Sequence, residues 1–314
     1  MNSVNILKSI VENVEKVIIG KRESIELAVI ALACEGHVLI EDVPGVGKTG
    51  LVSSISKSID ATFKRIQFTP DVLPSDITGF SIFNQKTGEF EYRPGAVMSN
   101  IILADEINRT SPKTQSSLLE VMEENQVTVD GVTYKIPKPF MVLATQNPVE
   151  YLGTFPLPEA QIDRFFMKIS IGYPSMADES EILSRFQYEN PLDKLKPVAT
   201  CEDIIDIQNK IKEIHVDKSL NDYIVSIVSK TRNHPEVALG SSTRGSLSLF
   251  KAAQGWAFYN GRNYVIPDDI IKMTVPVLSH RIILKQEAKL KKVTANDILA
   301  SILKNTAVPV VEGL

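Results

Sequence analysis

Four short apolar runs punctuate the first half of the chain, at residues 37–41, 63–68, 101–105 and 140–145. Each is too short for a helix and ends at or just before a polar or turn-forming residue, the pattern of a buried parallel strand. Stretches with helical spacing lie between them, at 50–59 after the first run and 111–124 after the third. This alternation predicts a doubly wound α/β sheet, in which ligands bind at the carboxyl ends of the strands. Two segments break it. Residues 126–136 read as two β-rich arms around Asp130-Gly131, a hairpin signal of the type I′ kind. Residues 78–95 are irregular, with Gly79, Gly88 and Gly95, and mark a second excursion from the sheet.

After Gly172-Tyr-Pro174 the strand runs thin out. Helical patterns take over at 202–214, 219–231, 246–259 and 267–280. The expected organisation is an α/β core over residues 1–174, with a hairpin insertion near 125–138, and an all-helical domain over 175–314. A length of 314 residues leaves room for both.

Composition narrows the function classes. Apolar residues make up 43% and charged residues 23%, an ordinary globular balance, and the net charge of -4 does not suggest a nucleic-acid binder. No apolar run approaches the roughly 20 residues of a membrane span, and residues 1–16 show no secretory pattern. A cytoplasmic protein is expected, with any membrane contact made through a partner. Cys34 and Cys201 have no metal or redox spacing and read as buried, reduced thiols. The four histidines share no ligand spacing, and Trp256, among apolar neighbours at helical spacing, reads as core.

The chemistry lies at the ends of the predicted strands. Asp42-Val-Pro-Gly-Val-Gly-Lys-Thr49 follows the first run and opens a helix. Gly45, Gly47, Lys48 and Thr49 fit the second half of G-x-x-x-x-G-K-[ST], whose curled backbone aims N–H groups at phosphate oxygens. Lys48 would reach the β- and γ-phosphates of a nucleotide, and Thr49 would ligate magnesium. Asp42 stands where the pattern has glycine. Asp105-Glu106 ends the third run. Alone, such a pair is an ordinary solvated loop start; beside a phosphate loop, Asp105 suits a metal shell and Glu106 a water-polarising base. Asn147 ends the fourth run, where it reads equally as a phosphate or water ligand and as an Asn-Pro turn. Arg164 and Arg244, taken singly, are ordinary surface cations.

In combination these segments are specific. Glu41-Asp-Val-Pro-Gly-Val-Gly-Lys-Thr49, Arg65-Ile-Gln-Phe-Thr-Pro-Asp-Val-Leu-Pro-Ser-Asp-Ile-Thr-Gly79, Leu103-Ala-Asp-Glu-Ile-Asn-Arg-Thr-Ser-Pro-Lys-Thr-Gln115, Ala144-Thr-Gln-Asn-Pro148 and Leu157-Pro-Glu-Ala-Gln-Ile-Asp-Arg164 resemble the MoxR family of AAA+ ATPases, over nearly the whole chain. The resemblance implies a P-loop NTPase core of parallel sheet with a C-terminal helical lid, binding ATP and magnesium. It places Pro44, Gly45, Val46, Gly47, Lys48, Thr49 and Gly50 in Walker A and Asp105-Glu106 in Walker B. It puts Asn147 at sensor 1, Arg164 at the arginine finger and Arg244 at sensor 2. Ile19 and Gly20, in Val17-Ile-Ile-Gly20, resemble the segment along the adenine. The Asp130-Gly131 hairpin matches the pre-sensor-1 insertion, the stretch after Thr78 matches the helix-2 insertion, and Asp-Val-Pro-Gly resembles a loop variant common in the family.

Departures are Gly95-Ala-Val-Met98, where the family often has Gly-Pro-Ile-Phe, and Ser242-Thr-Arg244, where it often has Ser-Pro-Arg. Arg109, Arg232 and Arg281 stay open as alternatives to Arg164. The resemblance further implies a ring, commonly hexameric, with ATP between subunits. It implies chaperone-like remodelling or maturation of a client that the sequence does not identify, often alongside a von Willebrand factor type A domain protein. Arg244 would reach the nucleotide if the helical domain folds over it. Two rival readings are a nucleotide-gated switch with little hydrolysis and a nucleic-acid-directed motor. The intact Glu106 and Asn147 weigh against the first. The second is opposed by the net charge and by hairpin arms whose only cations are Lys135 and Lys138.

Overall fold

The computed structural model describes residues 3–147, 153–187 and 190–309, so Pro148 of the fourth motif lies outside the described residues. The chain opens with α1 (Ser3–Glu15) and α2 (Arg22–Ala33), and β1 (Val38–Glu41) runs into α3 (Lys48–Ser58). After β2 (Phe63–Gln67), the short α4 (Pro74–Thr78) leads into a hairpin of β3 (Gly79–Asn84) and β4 (Glu89–Pro94). Next come β5 (Ile101–Asp105), a 3-10 turn at Ile107–Arg109, α5 (Pro112–Glu124) and a second hairpin, β6 (Gln126–Val129) with β7 (Val132–Lys135). Then β8 (Met141–Gln146), α6 (Glu159–Ile162) and β9 (Met167–Ile169) complete the sheet. Helices α7 (Met176–Phe186), α8 (Cys201–Lys212) and α9 (Lys218–Arg232) follow. A two-stranded ribbon of β10 (Val237–Leu239) and β11 (Ile283–Leu284) frames α10 (Thr243–Tyr259) and α11 (Pro267–Leu278), and α12 (Gln286–Leu290) and α13 (Ala295–Lys304) end the described chain.

The sheet is parallel throughout, in the order β2-β5-β8-β1-β9. Its central strands are apolar on both faces because both faces are covered. Val38, Ile40, Ile101, Leu103, Met141 and Leu143 face a cluster built with α1, α2 and α3. Leu39, Ile102, Ala104, Val142 and Ala144 face the opposite cluster, which takes in Leu118, Leu119 and Met122 of α5. The first cluster continues without a break into the C-terminal helices through residues such as Ile207, Leu249, Ile270 and Leu299. Polar ties reinforce that contact: Gln208 Nε2 donates to the Leu32 carbonyl at 2.9 Å, and Asn13 Nδ2 to the Lys196 carbonyl at 3.0 Å.

The α/β class with its helical C-terminal part is what the apolar pattern predicts. Differences are local. The run at 63–68 forms an edge strand, with Lys64, Arg65 and Gln67 exposed, because β2 has only β5 beside it. A fifth strand, β9, was not anticipated; three residues carry too little periodicity to announce it. The helix expected over 267–280 gives way after Leu278 to a 3-10 turn, Ser279–Arg281. Cys34 is buried but Cys201 only half-buried, and both are unbridged. Trp256 is half-buried on the first cluster, stacked on Tyr259. The Asp130-Gly131 turn has φ of 52° and 80°, the positive pair that a type I′ hairpin needs.

Candidate active site

The loop between β1 and α3 curls because Gly45 and Gly47 adopt φ of 85° and 89°, a region that side chains disfavour. Gly47 is the N-cap of α3, so the first N–H groups of that helix open towards the loop. Lys48 Nζ donates to the Asp42 carbonyl at 2.8 Å. Burial pulls the Lys48 ammonium below its usual range, and the carboxylates of Asp42, Asp105 and Glu106 pull the other way.

Two cavities meet at this loop, and Gly45, Gly47 and Gly50 line both. One, of about 300 Å³, is polar; Pro44, Lys48, Thr49, Asp105, Glu106 and Asn147 line it, with Arg65 and Gln67 from β2. The other, of about 400 Å³, is largely apolar and takes in Val17, Ile18, Ile19 and Val46 with Pro174, Ile182 and Phe186. An apolar compartment joined to a polar one suits a base at one end and phosphates at the other. Gly20 does not line either cavity. With φ of 71° it turns the chain between α1 and α2, and a Cβ there would meet the Asp178 carboxylate at 2.3 Å.

Asp42 has a structural task. Its Oδ2 accepts hydrogen bonds from Ser170 Oγ at 3.1 Å, from the Ile171 amide and from the Gly172 amide at 2.8 Å, and Oδ1 accepts from Val43 N at 3.1 Å. The carboxylate is buried and fastens the phosphate loop to the chain leaving β9. A glycine could make none of these bonds.

The acidic pair sits in a dense polar network. Thr145 Oγ1 accepts from the Glu106 amide at 2.8 Å and donates to Asp105 Oδ1 at 2.7 Å. Arg65 NH2 reaches Asp105 Oδ2 at 2.6 Å and Gln67 Oε1 at 2.9 Å. Gln67 Nε2 donates to Glu106 Oε2 at 2.8 Å, and Arg109 Nε lies 3.2 Å from the same oxygen. Glu106 has φ of 56°, a strained conformation for a non-glycine residue that costs on the order of 1 kcal/mol and clusters at functional sites. Sequence reasoning missed Arg65, Gln67 and Thr145. The available signal was two polar side chains two residues apart at the carboxyl end of a strand, hence on one face.

The expected arginines stand elsewhere. Neither Arg164 nor Arg244 lines the loop cavities. Both hold Glu123, near the end of α5: Arg164 Nε at 3.3 Å from Oε2, and Arg244 through NH2 to Oε1. α10 carries Arg244 to the α5–α6 side, where its N-cap Ser242 bonds Asp163 at 2.9 Å. Arg281 is buried, with Nε 2.9 Å from Asp163 and NH2 2.6 Å from the Phe165 carbonyl, so it serves as an internal tie. Burial lowers its pKa to about 10 and Asp163 opposes the shift. Arg232 Nε donates to the Ser241 carbonyl at 2.8 Å.

Residues 37–167 match the family described as ATPase family associated with various cellular activities (AAA), and residues 229–302 match the AAA lid domain. Chaperone MoxR1 of Mycobacterium tuberculosis is 40% identical, covering 99% of this chain and 84% of its own length. This chain belongs to the MoxR family of AAA+ ATPases. YeaC of Bacillus subtilis, an uncharacterised protein, is 55% identical across 97% of this chain and 95% of its own. A crystal structure from Cytophaga hutchinsonii superposes with a TM-score of 0.92 at 41% identity, covering 98% of this chain and 96% of that one.

The donor set of this MoxR-family chain fits a magnesium nucleotide. An ammonium, a hydroxyl and a carboxylate line one cavity at the N-terminus of α3, in Lys48, Thr49 and Asp105. Among the described residues no group of three or more His, Cys, Asp or Glu side chains could hold a metal ion. No helix among the described residues is long and apolar enough to cross a membrane.

Proposed function

We propose that this chain hydrolyses ATP as a ring, with the hexamer its resemblance implies as the working form, and uses the cycle to remodel or mature a partner protein. The observation that carries the reading is a separation: the loop, metal and water-polarising groups line one cavity, whereas Arg164 and Arg244 project together from another part of the chain. A site whose phosphate-stabilising arginines stand apart is completed by a second copy. We accordingly assign both arginines to the neighbour's nucleotide and take the core as residues 1–174 and the lid as 175–314.

Placement supports these roles. Lys48 and the N-terminus of α3 hold the β- and γ-phosphates, the apolar cavity with Ile19 holds the base, and Asn147 faces the terminal phosphate. Thr49 and Asp105 hold magnesium, which when bound neutralises charge developing on the phosphates. Glu106 orients and polarises water. Gln67 and Arg109 engage its carboxylate, which supports slow basal turnover until the network is rearranged.

Client contact is assigned to the hairpins. Phe80, Phe83 and Phe90 of β3 and β4 are exposed, and an apolar hairpin tip suits an unfolded or partly assembled protein. The chaperone name of the Mycobacterium relative agrees with this, and a von Willebrand factor type A domain protein is the proposed accessory partner.

Phosphate release and nucleotide binding test the assignment. Lys48→Ala is expected to lose nucleotide binding. Glu106→Gln is expected to bind nucleotide as the parent does while releasing phosphate at least about 100-fold more slowly. Robust release by Glu106→Gln would remove Glu106 from the water-polarising role.

A further inference from the structure

Both oxygens of the proposed metal carboxylate are already occupied. Asp105 Oδ1 accepts from Thr145 Oγ1 at 2.7 Å, and Oδ2 is paired with Arg65 NH2 at 2.6 Å. Thr145 lies on the neighbouring strand β8 and is buried, so its bond is part of the sheet's frame. Arg65 differs. It reaches in from the edge strand β2, and its side chain is 47% exposed while that of Asp105 is 15% exposed. The guanidinium can leave for solvent at little cost, and the carboxylate cannot follow it.

We propose that Arg65 is a positioning residue that holds Oδ2 of Asp105 and competes with magnesium for that oxygen. The proposal rests on the reading of this cavity as a magnesium-nucleotide site. The charge argument is direct. An Asp105 pointing into a cavity beside Glu106 would be repelled by its neighbour, and a single positive guanidinium offsets that repulsion. A divalent ion arriving with phosphates carries twice the charge and takes the same oxygen.

A second consequence comes from the shared donor. The same Arg65 NH2 that holds Asp105 also donates to Gln67 Oε1, and Gln67 Nε2 donates to Glu106 Oε2. A guanidinium that swings into solvent gives up both bonds, and with the second the contact that orients the Gln67 amide. Metal occupancy at Asp105 is thereby linked to the Gln67 hold on Glu106, while Arg109 engages the same carboxylate independently.

The test measures magnesium demand without turnover. A fluorescent methylanthraniloyl-ADP is titrated into the full chain at a series of free magnesium concentrations, and the concentration giving half of the magnesium-dependent tightening is read. Arg65→Gln is expected to lower that concentration by about fivefold, the scale of one partly exposed ion pair. Arg65→Lys keeps a cation within reach of Asp105 and should stay near the parent value. Arg65→Met, which keeps an apolar stem on β2, serves as the second variant, and thermal unfolding confirms that each is folded. An unchanged or increased magnesium demand in folded Arg65→Gln and Arg65→Met overturns the competition. A parent protein whose ADP binding ignores magnesium overturns instead the underlying site reading, so the two failures are distinguishable.

Discussion

The Asp42 carboxylate accepts the amide hydrogen of Gly172 at 2.8 Å, joining the phosphate loop to the segment that leads from β9 towards α7. Gly172 lines the apolar cavity together with Gly45 and Gly47, so the bond fixes two walls of that cavity against each other. Asp42→Ala leaves the Ile171 and Gly172 amides and the Ser170 hydroxyl without this acceptor. Buried donors left unpaired cost roughly 1–3 kcal/mol each, with partial relief from water. A loss of about 2–4 kcal/mol in urea unfolding is expected, with weaker nucleotide binding. Asp42→Gly restores the general loop pattern and should be no better. An unshifted midpoint for both variants would refute the fastening role.

The separation of the arginines from the loop makes a mixing experiment decisive. Lys48→Ala subunits keep both arginines but lose the nucleotide, whereas Arg164→Ala or Arg244→Ala subunits keep the loop. Each preparation alone should be slowed by about 10³-fold, the usual scale for an arginine acting on a transferring phosphate. Mixed, they should recover a measurable share of parent turnover. A mixture no faster than its components would place the arginines outside the neighbour's site.

Glu123 pairs with both guanidiniums through its two oxygens, and its own side chain is 40% exposed. Exposed pairs of this kind contribute at most about 1 kcal/mol each, so Glu123→Gln should unfold close to the parent temperature. Its freed arginines carry unbalanced positive charge towards an incoming polyphosphate. The protein concentration giving half-maximal turnover should therefore fall, most at low salt where screening is weakest. A rise in that concentration would mean that Glu123 aids assembly.

His37 gives the fold an acid sensitivity. Its Nδ1 accepts from Val142 N at 3.0 Å and its Nε2–H donates to the Met122 carbonyl at 3.0 Å, so the buried ring is neutral and fully bonded. Burial lowers its pKa to about 4. The unfolded chain binds the proton near the ordinary value of about 6.5, so the stability is fully present above that pH and is lost as pH falls towards 4. From about pH 7 to pH 5 the loss from this ring is on the order of 2 kcal/mol. His280, pushed down by burial and by Arg281, adds a loss of the same sign. Urea unfolding at the two pH values checks the slope, and His37→Gln should flatten it; an equal slope in the variant would rule the ring out as its source.

What the sequence determined by itself is local. The strands Val38–Glu41, Ile101–Asp105 and Met141–Gln146 were legible because a run buried on both faces needs apolar residues at every position. The loop at Lys48 and the hairpin at Asp130-Gly131 were legible because positive φ demands particular residues at particular steps. Asp105-Glu106 showed itself because its two members are adjacent. The tertiary structure decided the rest. Asp42 looked like a defect in a pattern until its hydrogen-bond donors, about 130 residues further on, came beside it. Arg65 and Gln67 belonged to a strand until the β2–β5 register set them against the acidic pair. Arg244 could have faced its own nucleotide; the packing of α10 and α11 on the core set it beside Arg164 instead. Hydrogen-bond periodicity and backbone strain act within a few residues and leave a trace in the order of the chain. Contacts made across the fold depend on how whole elements pack, and no short stretch of sequence carries that information.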